Sequence, residues 1–446
     1  MRTDQIMQVT LPARLVEIAT LGEASFPSPA HRSSLAEAGV GQFVADSERV
    51  WQRGEMVLGG LPVEDLLFEK AGPRARLFFD SGRTTAAVVT CGGLCPGLNA
   101  VIRCLFLELY HHYGVRRVLG IRYGFQGLNP VDGQPPIELT SDLVDNIHRE
   151  GGTFLGSSRG RQDVGTMVDS LQRHAIDLLF CVGGDGTHRG AHAIHAEVSR
   201  RGMALAVVGI PKTIDNDIPY CDRTFGAVTA VEQAREVLHL AHTEAKGTPR
   251  GIGLVKVMGR NAGFVACGAT LASQEVNFTL IPELPFALAG ERGFLAALER
   301  RMDARGHAVI VVAEGAGQDL CGEALQARDL SGNPRYQDVG VFLKGAIAGH
   351  FNQIGRPVEI KYIDPSYIIR SVAANCDDSL LCDKLARNAV HAAMAGKTDV
   401  MVSIINGKFV HVPIEMAVDG TRRVALDGEL WSSVLAATGQ PARLGR

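Results

Sequence analysis

Short apolar runs alternate with longer amphipathic stretches through the middle of the chain. Four runs between residues 85 and 210 are rich in β-branched and small apolar residues, and most end at glycine or proline: TAAVVTC, VRRVLGI, IDLLFCVG and MALAVVGI. The stretches between them, including LNAVIRCLFLELYHHY and HRGAHAIHAEVSRRG, space their apolar residues as helices that pack on a sheet do. This alternation predicts βαβ units and a parallel sheet covered by helices.

A second series with the same pattern follows. FGAVTAVEQAREVLHLAHTEA is a long helical candidate, and GIGLVKVMG, VNFTLIPE and HAVIVVAEGAG are strand-like. The pattern therefore predicts an α/β protein of two doubly wound, Rossmann-like domains with a cleft between them. We expect an N-terminal extension over residues 1–76, a first domain over 77–220 and a second over 221–375. Residues 376–446 read as a helix and a strand pair that return to complete the fold, in part within the first domain.

Composition excludes several classes of protein. The 446 residues are enough for two or three domains, and the net charge of −3 leaves no basic field to attract nucleic acid. No apolar run reaches the roughly 18 to 20 residues of a membrane helix. The N-terminus lacks a signal-peptide layout and the nine cysteines are scattered, so we expect a cytoplasmic protein. Cys91 and Cys95 are expected to be buried packing residues, since zinc sites need more ligands at short spacings.

Two glycine-bearing turns stand between a predicted strand and a predicted helix. In CGGLCPGLN, Gly92, Gly93 and Gly97 would let backbone amides approach an anion at the start of a helix near Leu98 or Asn99. Many strand-to-helix turns are rich in glycine for geometric reasons alone, so this turn leaves a phosphate role open.

GGDGT repeats this layout with a carboxylate inside it. Gly183, Gly184 and Gly186 surround Asp185, and Thr187 is expected to open the next helix. A carboxylate among phosphate-binding amides would repel the ligand unless a hard cation such as Mg²⁺ lay between them. The alternative is an aspartate that caps the helix N-terminus.

The stretch PKTIDND follows the apolar run that ends at Ile210. Phosphoryl transfer needs a cation or lysine near the moving group, a magnesium ligand and a base for the attacking hydroxyl. Lys212, Asp215 and Asp217 are suited to these tasks if Asp185 faces the same cleft. A capped, solvated loop is the alternative.

The second series offers groups that bind anions and hydroxyls. Arg260 follows a strand in VKVMGRNAG, Glu314 follows another in VVAEGAG, and KYIDPSYIIRS holds Tyr367 and Arg370. Arginine makes fixed, often bidentate contacts with phosphate, and a carboxylate accepts hydrogen bonds from sugar hydroxyls. Together these residues suggest a phosphorylated polyol as ligand.

The motifs resemble, in order, those of the 6-phosphofructokinase family. CGGLCPGLN, GGTFLGSSRG, GGDGTHRGA, PKTIDND, VMGR, VAEGAGQ and IDPSYIIR extend from about Gly92 to Arg370. The upstream FEKAGPRARLFFD is similar to the longer-chain branch, which holds plant-type and kinetoplastid-type ATP-dependent enzymes and is related to diphosphate-dependent ones. The resemblance implies phosphorylation of the 1-hydroxyl of fructose 6-phosphate by ATP with Mg²⁺, in a homodimer or homotetramer. It makes 77–220 the nucleotide and magnesium domain and 221–375 the sugar-phosphate domain.

The resemblance also implies roles for individual residues. Asp215 would be the general base, Asp185 the magnesium ligand, Asp217 a further charge near magnesium, and Lys212 a catalytic, charge-neutralising residue. Positions that match nucleotide contacts are Gly93, Arg159, Gly160, Gly184, Asp185, Gly186 and Thr187. Positions that match sugar-phosphate contacts are Thr213, Ile214, Asp215, Met258, Gly259, Arg260, Glu314, Tyr367, Ile368, Ile369 and Arg370.

The phosphoryl donor depends on one position. Diphosphate-dependent relatives have an aspartate after the GGD aspartate, whereas this chain has Gly186, which leaves room for the α-phosphate of ATP. Lys212 favours diphosphate, because diphosphate-dependent enzymes have a lysine there, but only weakly, since ATP-dependent members of the longer-chain branch carry it too. A diphosphate-dependent enzyme, or the same chemistry on another ketose phosphate such as sedoheptulose 7-phosphate, is the alternative. Arg250 lies near the place from which short relatives reach a neighbouring subunit, but its spacing to Arg260 differs by one residue.

Rivals from other classes fit less well. NAD kinases and lipid kinases share GGDGT but lack PKTIDND, VMGR and IDPSYIIR. A non-catalytic sugar-phosphate sensor would be expected to have lost one of Asp185, Asp215 or Arg260, and all three are present.

Overall fold

The computed structural model describes residues 13–29, 43–54, 65–131, 133–322 and 336–445. Its strands in chain order are β1 (Ala13–Leu15), β2 (Phe26–Pro27), β3 (Arg49–Trp51), β4 (Asp65–Lys70), β5 (Arg76–Leu77), β6 (Thr85–Thr90), β7 (Arg117–Ile121), β8 (Ile137–Glu138), β9 (Leu178–Gly183), β10 (Ala206–Pro211), β11 (Gly251–Val257), β12 (Phe278–Leu280), β13 (Ala308–Ala313), β14 (Glu359–Ile363), β15 (Val400–Ile405) and β16 (Lys408–Pro413).

Its α-helices are α1 (Leu98–Leu107), α2 (Ser141–Val144), α3 (Val164–Arg173), α4 (Asp185–Arg200), α5 (Ala227–Lys246), α6 (Phe264–Ser273), α7 (Phe294–Arg305), α8 (Val339–Gln353), α9 (Ser366–Arg370), α10 (Cys376–Met394), α11 (Ile414–Ala417) and α12 (Glu429–Thr438). A π-helical turn, Glu108–Tyr113, continues α1, and 3₁₀ turns occupy Gly124–Leu128 and Ile147–Arg149. No helix in the described ranges is both long and apolar enough to cross a lipid bilayer.

The strands form two main sheets. In the first, the order is β1-β4-β16-β15-β10-β9-β6-β7-β8, with β3 also paired to β4. Its interior pairs β10–β9, β9–β6 and β6–β7 are parallel. In the second, β12-β13-β11-β14 are all parallel. Strands β6, β9, β10 and β13 are buried at every position, as continuous apolar runs in a sheet covered on both faces should be.

Helices cover both faces of each sheet. On the first sheet, Leu105 of α1 and Leu385 of α10 pack on one face, and Leu171 of α3 and Ile194 of α4 pack on the other. On the second sheet, α7 and α8 lie against one face, and α5, α6 and α12 lie against the other. The prediction of two doubly wound α/β units is confirmed.

Both ends of the chain contribute to the first sheet. The hairpin β15–β16 returns from α10 and places β15 beside β10, while α12 packs on the second sheet through Trp431. Of the expected N-terminal extension, the described strands β1, β3 and β4 lie at the edge of the first sheet. A buried polar cluster fastens them, because Glu69 of β4 forms ion pairs with Arg74 and Lys397 at 2.9 and 3.2 Å and a hydrogen bond with His411 Nδ1 at 3.0 Å. The other parts of the predicted extension, residues 1–12, 30–42 and 55–64, lie outside the described residues.

Candidate active site

The predicted chemical loops all leave the carboxyl ends of parallel strands. CGGLCPG follows β6, GGDGT follows β9 and PKTIDND follows β10, while the MGR loop follows β11 and EGAG follows β13. In a doubly wound fold these ends line the ligand crevice. The two sheets meet there, since the backbone N–H of Arg260 donates a hydrogen bond to Asp215 Oδ2 at 3.3 Å, and Met258 packs against the core of the first domain.

The PKTIDND loop is held in a fixed turn by its own side chains. Thr213 Oγ1 accepts the backbone N–H of Asp215 and donates to Asp217 Oδ1, both at 3.1 Å. Asn216 adopts the left-handed conformation with φ of 54°, which asparagine tolerates better than most residues. Its side-chain Oδ1 accepts the backbone N–H of Thr224 at 2.9 Å. The two carboxylates therefore stand on a rigid turn rather than on a solvated loop.

Asp215 is set up to hold a proton more tightly than an ordinary aspartate. Its Oδ1 atom is shielded from solvent and has no hydrogen-bond partner among the described residues. Burial, with the nearby charges of Asp217 and Glu314, raises the pKa of Asp215 to about 8. Burial also raises the pKa of Asp217, and Asp185 adds to that shift. An unpartnered carboxylate oxygen of high proton affinity is suited to accept a proton from a hydroxyl.

Lys212 joins three loops. It is buried, and its Nζ donates to the carbonyl of Gly93 at 2.8 Å. Burial lowers the pKa of Lys212, and the charge of Arg159 lowers it further. The loop of Arg159 is tied to the same turn, because Gly92 donates its N–H to the carbonyl of Ser158 at 3.2 Å. Lys212, Gly93 and Arg159 are therefore brought together, and their binding of phosphate stays a prediction.

Glycine at position 93 keeps this contact close. A Cβ there would lie 3.3 Å from Arg159 Nη2, which is tighter than an ordinary van der Waals contact. Gly160, next to Arg159, has φ of 105°, a region that disfavours side-chain-bearing residues.

The GGDGT turn begins a helix two residues earlier than predicted. Helix α4 starts at Asp185 rather than Thr187, with Gly184 in the capping position and no side-chain cap. Asp185 is thus not a helix cap. Its carboxylate is 57% exposed and pairs with Arg189 at 3.1 Å. Thr187 is buried, and a Cβ on Gly183 would lie only 2.1 Å from its Oγ1.

Gly186 faces open space. A Cβ built there meets no heavy atom within 4 Å, so glycine is not required by packing at this position. Gly183 of the same turn is closely packed against Thr187, whereas the space around Gly186, next to Asp185, is open.

The carboxylates present suit Mg²⁺. In the described part of the chain, no group of three or more potential ligands could enclose a metal ion. Mg²⁺ in phosphate sites is instead held by one or two carboxylates, with water and substrate phosphates completing its shell. Asp185 is exposed at the glycine-rich turn that begins α4, and its negative charge raises the pKa of Asp217.

The second domain contributes Arg260 and Glu314 on adjacent turns. Gly315 donates its N–H to the carbonyl of Gly259 at 3.1 Å, and a Cβ on Gly315 would lie 1.9 Å from the carbonyl of Arg260. Gly259 has φ of 129°. Burial raises the pKa of Glu314, and the charge of Arg260 partly offsets this shift. The two turns are locked together beside Asp215.

Helix α9 carries the last predicted group. The guanidinium of Arg370 lies 4.6 Å from the centre of the Tyr367 ring, and its buried Nε has no partner among the described residues. Tyr367 and Ile368 are 74% and 59% exposed, whereas Ile369 is fully buried. The side chain of Ile369, like that of Ile214, packs inside the protein, and the backbone N–H of Ile369 donates to the carbonyl of Pro365 at 3.0 Å.

Arg250 does not join this group within the chain. Arg250 precedes β11, whereas Arg260 follows that strand, so the two arginines lie at opposite ends of the parallel strands of the second sheet. At about 3.3 Å per residue, the seven residues of β11 separate the two ends by roughly 20 Å.

The structure adds residues that the sequence did not indicate. His188 is buried, and its Nδ1 contacts the carbonyl of Gly184 at 2.9 Å, which supports the GGDGT turn. Arg422 donates to the carbonyl of Asn216 at 3.1 Å. Arg422 lies 206 residues from its partner, and no local pattern indicates such a contact. Asn216 could have been found, since asparagine between two aspartates in a tight turn favours positive φ.

Comparison with known proteins agrees with this geometry. The family model described as "Phosphofructokinase" matches residues 85–393. The chain is 49% identical over 384 residues to an ATP-dependent 6-phosphofructokinase of Borreliella burgdorferi, covering 85% of this chain and 86% of that protein. It is 44% identical over 447 residues to an ATP-dependent 6-phosphofructokinase of Amycolatopsis methanolica, covering 98% and 97%. ATP-dependent 6-phosphofructokinase 7 of Arabidopsis thaliana is 46% identical over 380 residues, covering 85% and 78%.

A solved structure shares the fold at lower identity. The pyrophosphate-dependent phosphofructokinase of Marinobacter aquaeolei superposes with a TM-score of 0.66 at 20% identity, covering 81% of this chain and 92% of that one. The family match and the relatives at 44 to 49% identity confirm the resemblance inferred from the motifs, including the likeness to plant enzymes. The chain belongs to the phosphofructokinase family.

Proposed function

We propose that this protein transfers the γ-phosphoryl group of ATP to the 1-hydroxyl of fructose 6-phosphate, giving fructose 1,6-bisphosphate and ADP in glycolysis. Asp215 carries the proposal. It stands where the two domains meet, with one carboxylate oxygen tied to the backbone N–H of Arg260 and the other shielded and unpartnered. That second oxygen is the proton acceptor for the 1-hydroxyl, and the sugar phosphate lies on the side of the second domain.

The reaction needs little covalent chemistry from the protein, because phosphoryl transfer depends on positioning and on stabilising charge. Asp215 takes the proton as the hydroxyl oxygen attacks. Lys212, fixed by its bond to Gly93, and Arg159 supply positive charge on the nucleotide side. The amides of the GGDGT turn, at the start of α4, favour the phosphate chain through the helix dipole.

The second domain holds the sugar phosphate. Arg260 and Arg370 provide the positive charges, and Glu314 accepts from sugar hydroxyls. Met258, Gly259, Thr213 and the segment Tyr367 to Ile369 shape the pocket. The side chains of Ile214 and Ile369 act by packing, since both are buried.

Mg²⁺ would be held by Asp185 and the nucleotide phosphates, with Asp217 as a further charge near it. When bound, it neutralises negative charge on the β- and γ-phosphates. Among the described residues, Asp185 pairs with the exposed Arg189, a contact that contributes little free energy and leaves the carboxylate accessible to a cation.

The experiment supplies fructose 6-phosphate and Mg²⁺ with either ATP or inorganic diphosphate, and measures fructose 1,6-bisphosphate. Product with ATP alone is expected, because Gly186 leaves room for the α-phosphate and the relatives that match most of the chain are named as ATP-dependent. Product with diphosphate alone would refute the choice of donor. Product with neither would refute the choice of substrate.

We also propose a cytoplasmic homodimer or homotetramer. All nine cysteines are free thiols, as in reducing compartments. Tyr367 and Ile368 are large, exposed side chains beside the site, and burying them in a subunit contact would remove apolar surface from water. Light scattering after size exclusion tests the assembly, and a monomer at micromolar concentration would contradict it.

A further inference from the structure

A segment near the C-terminus, residues 418–424, crosses between the two domains at the active site. We call it the C-terminal strap. It begins after α11, which lies on the first sheet, and leads toward α12, which packs on the second. None of its residues was assigned chemistry from the sequence, and it lies beyond the range matched by the family model.

Arg422 fastens the strap to the loop of the general base. Its backbone N–H donates to the carbonyl of Asp217 at 2.8 Å, and its guanidinium Nη1 donates to the carbonyl of Asn216 at 3.1 Å. These carbonyls belong to the two residues that follow Asp215. Because Asn216 is in the left-handed conformation, a bond to its carbonyl holds the peptide in an orientation that most residues would avoid.

The same strap reaches the second domain. The guanidinium of Arg422 lies 4.5 Å from the centre of the Phe264 ring, a distance that allows a cation–π contact. Two residues on, Val424 donates its N–H to Glu283 Oε1 at 2.8 Å, and that carboxylate also accepts the N–H of Gly263. Gly263 and Phe264 end the turn that carries Arg260.

The start of the strap touches the nucleotide side. The carbonyl of Val418 accepts a hydrogen bond from Arg189 Nη2 at 2.7 Å, and Arg189 is the ion-pair partner of Asp185. One short segment thus contacts the two residues after Asp215, the ring of Phe264 near Arg260, and Arg189, the ion-pair partner of Asp185.

We propose that Arg422 is a positioning residue, which orients the turn after Asp215 so that its carboxylate faces the 1-hydroxyl across the cleft. The inference rests on the proposed function. Arg422 touches neither the carboxylate of Asp215 nor any reacting atom, so it acts through the backbone of Asn216 and Asp217. Its removal would loosen the turn and admit water to Asp215.

The test compares Arg422→Ala, Arg422→Lys and the neighbouring exposed Arg423→Ala, with thermal unfolding recorded for each. We expect Arg422→Ala to lower kcat by about 10- to 100-fold, while the KM for ATP changes by less than about threefold. Arg422→Lys keeps one donor and should recover part of the loss. Arg423→Ala should match the wild type.

A pH profile separates positioning from general loss of structure. Water reaching Asp215 would let its pKa fall toward the ordinary aspartate value, so the acidic limb of kcat/KM should move to lower pH in Arg422→Ala. A purely structural role would lower activity at every pH without moving the limb, and that result would overturn the proposal, as would equal kcat in the two alanine variants. Absence of product from the wild type would instead overturn the proposed function, which keeps the two failures distinct.

Discussion

Replacing Asp215 by asparagine keeps the size of the side chain but removes the proton acceptor. Oδ2 accepts the N–H of Arg260 and Oδ1 has no partner among the described residues, so the amide oxygen can keep the first contact and the amide nitrogen displaces none. We expect kcat to fall by about 10² to 10⁴, the range for losing a general base. The KM for fructose 6-phosphate should change by less than about threefold, because binding contacts remain.

The same substitution should make the protein more stable. The pKa of Asp215 is raised from 3.8 to about 8, so the unfolded chain releases this proton more readily and the folded state loses stability as pH rises toward 8. At pH 7 the shift spans about 3 pKa units at about 1.4 kcal/mol each, which gives a ceiling on the order of 4 kcal/mol. Asparagine carries no ionisation penalty, but its amide N–H₂ would be buried without an acceptor, which costs about 1–3 kcal/mol. The net gain should therefore be present at pH 7 to 8 and be lost or reversed near pH 4.

Asp177 provides a matched control. Burial raises its pKa as well, but it precedes β9 and therefore lies at the edge of the first sheet opposite the site. Its Oδ2 accepts the N–H of Thr85 at 2.8 Å, which asparagine can preserve. Asp177→Asn should keep kcat within about twofold. A kcat of Asp215→Asn within fivefold of the wild-type kcat would refute the assignment of the base. Equal thermal unfolding midpoints of Asp215→Asn and the wild type at pH 8 would refute the argument that burial raises the pKa of Asp215.

Three further outcomes are expected. The wild-type kcat/KM should rise with pH through about 8, because Asp215 must be ionised to act and burial raises its pKa; a limb centred below pH 6 would contradict this. Gly186→Asp should fold normally, since a Cβ at this position meets no heavy atom within 4 Å. Its carboxylate should raise the KM for ATP by about 10- to 100-fold, because it repels the phosphates. An unchanged KM for ATP would remove the basis for the donor assignment. Lys212→Met should lower kcat/KM for ATP by at least about tenfold, since the buried charge and its bond to Gly93 are lost; equal kcat/KM values in the two proteins would exclude Lys212 from the charge-neutralising role.

The positions of the central strands could be predicted from the sequence, because parallel strands buried on both faces consist of uninterrupted apolar residues. TAAVVTC and IDLLFCVG correspond to β6 and β9, and MALAVVGI corresponds to β10 with the first residues left outside it. The start of α4 was misplaced by two residues because Gly184 precedes a helix without a side-chain cap, so the usual capping signal is missing. Strands β1, β3 and β4, which extend the first sheet beyond β16, were not predicted, since this part of the chain carries only weak periodicity.

The sequence predicted only some features of the candidate site. Motif order brought Asp185, Lys212, Asp215 and Arg260 into one hypothesis, and the structure places their loops at one crevice. The contacts of Arg422 were not accessible, because they join residues about 200 positions apart through backbone carbonyls that no sequence pattern records. Nor could sequence alone separate the exposed Tyr367 from the buried Ile369 two positions along, since a five-residue helix is too short to show a periodic face.

The chemistry proposed for Asp215 depends on the contact between domains more than on the residue itself. In water an aspartate has a pKa near 4 and is a weak base, and a solvated PKTIDND loop would leave it so. Here Asp217 on the same loop and Glu314 on the second domain add negative charge, and burial removes water. Glu314 and the N–H of Arg260 act on Asp215 only while the second sheet lies against the first. The raised pKa of Asp215 therefore depends on contact between the two domains. A change that separates the domains while both sheets stay folded should lower the pKa of Asp215.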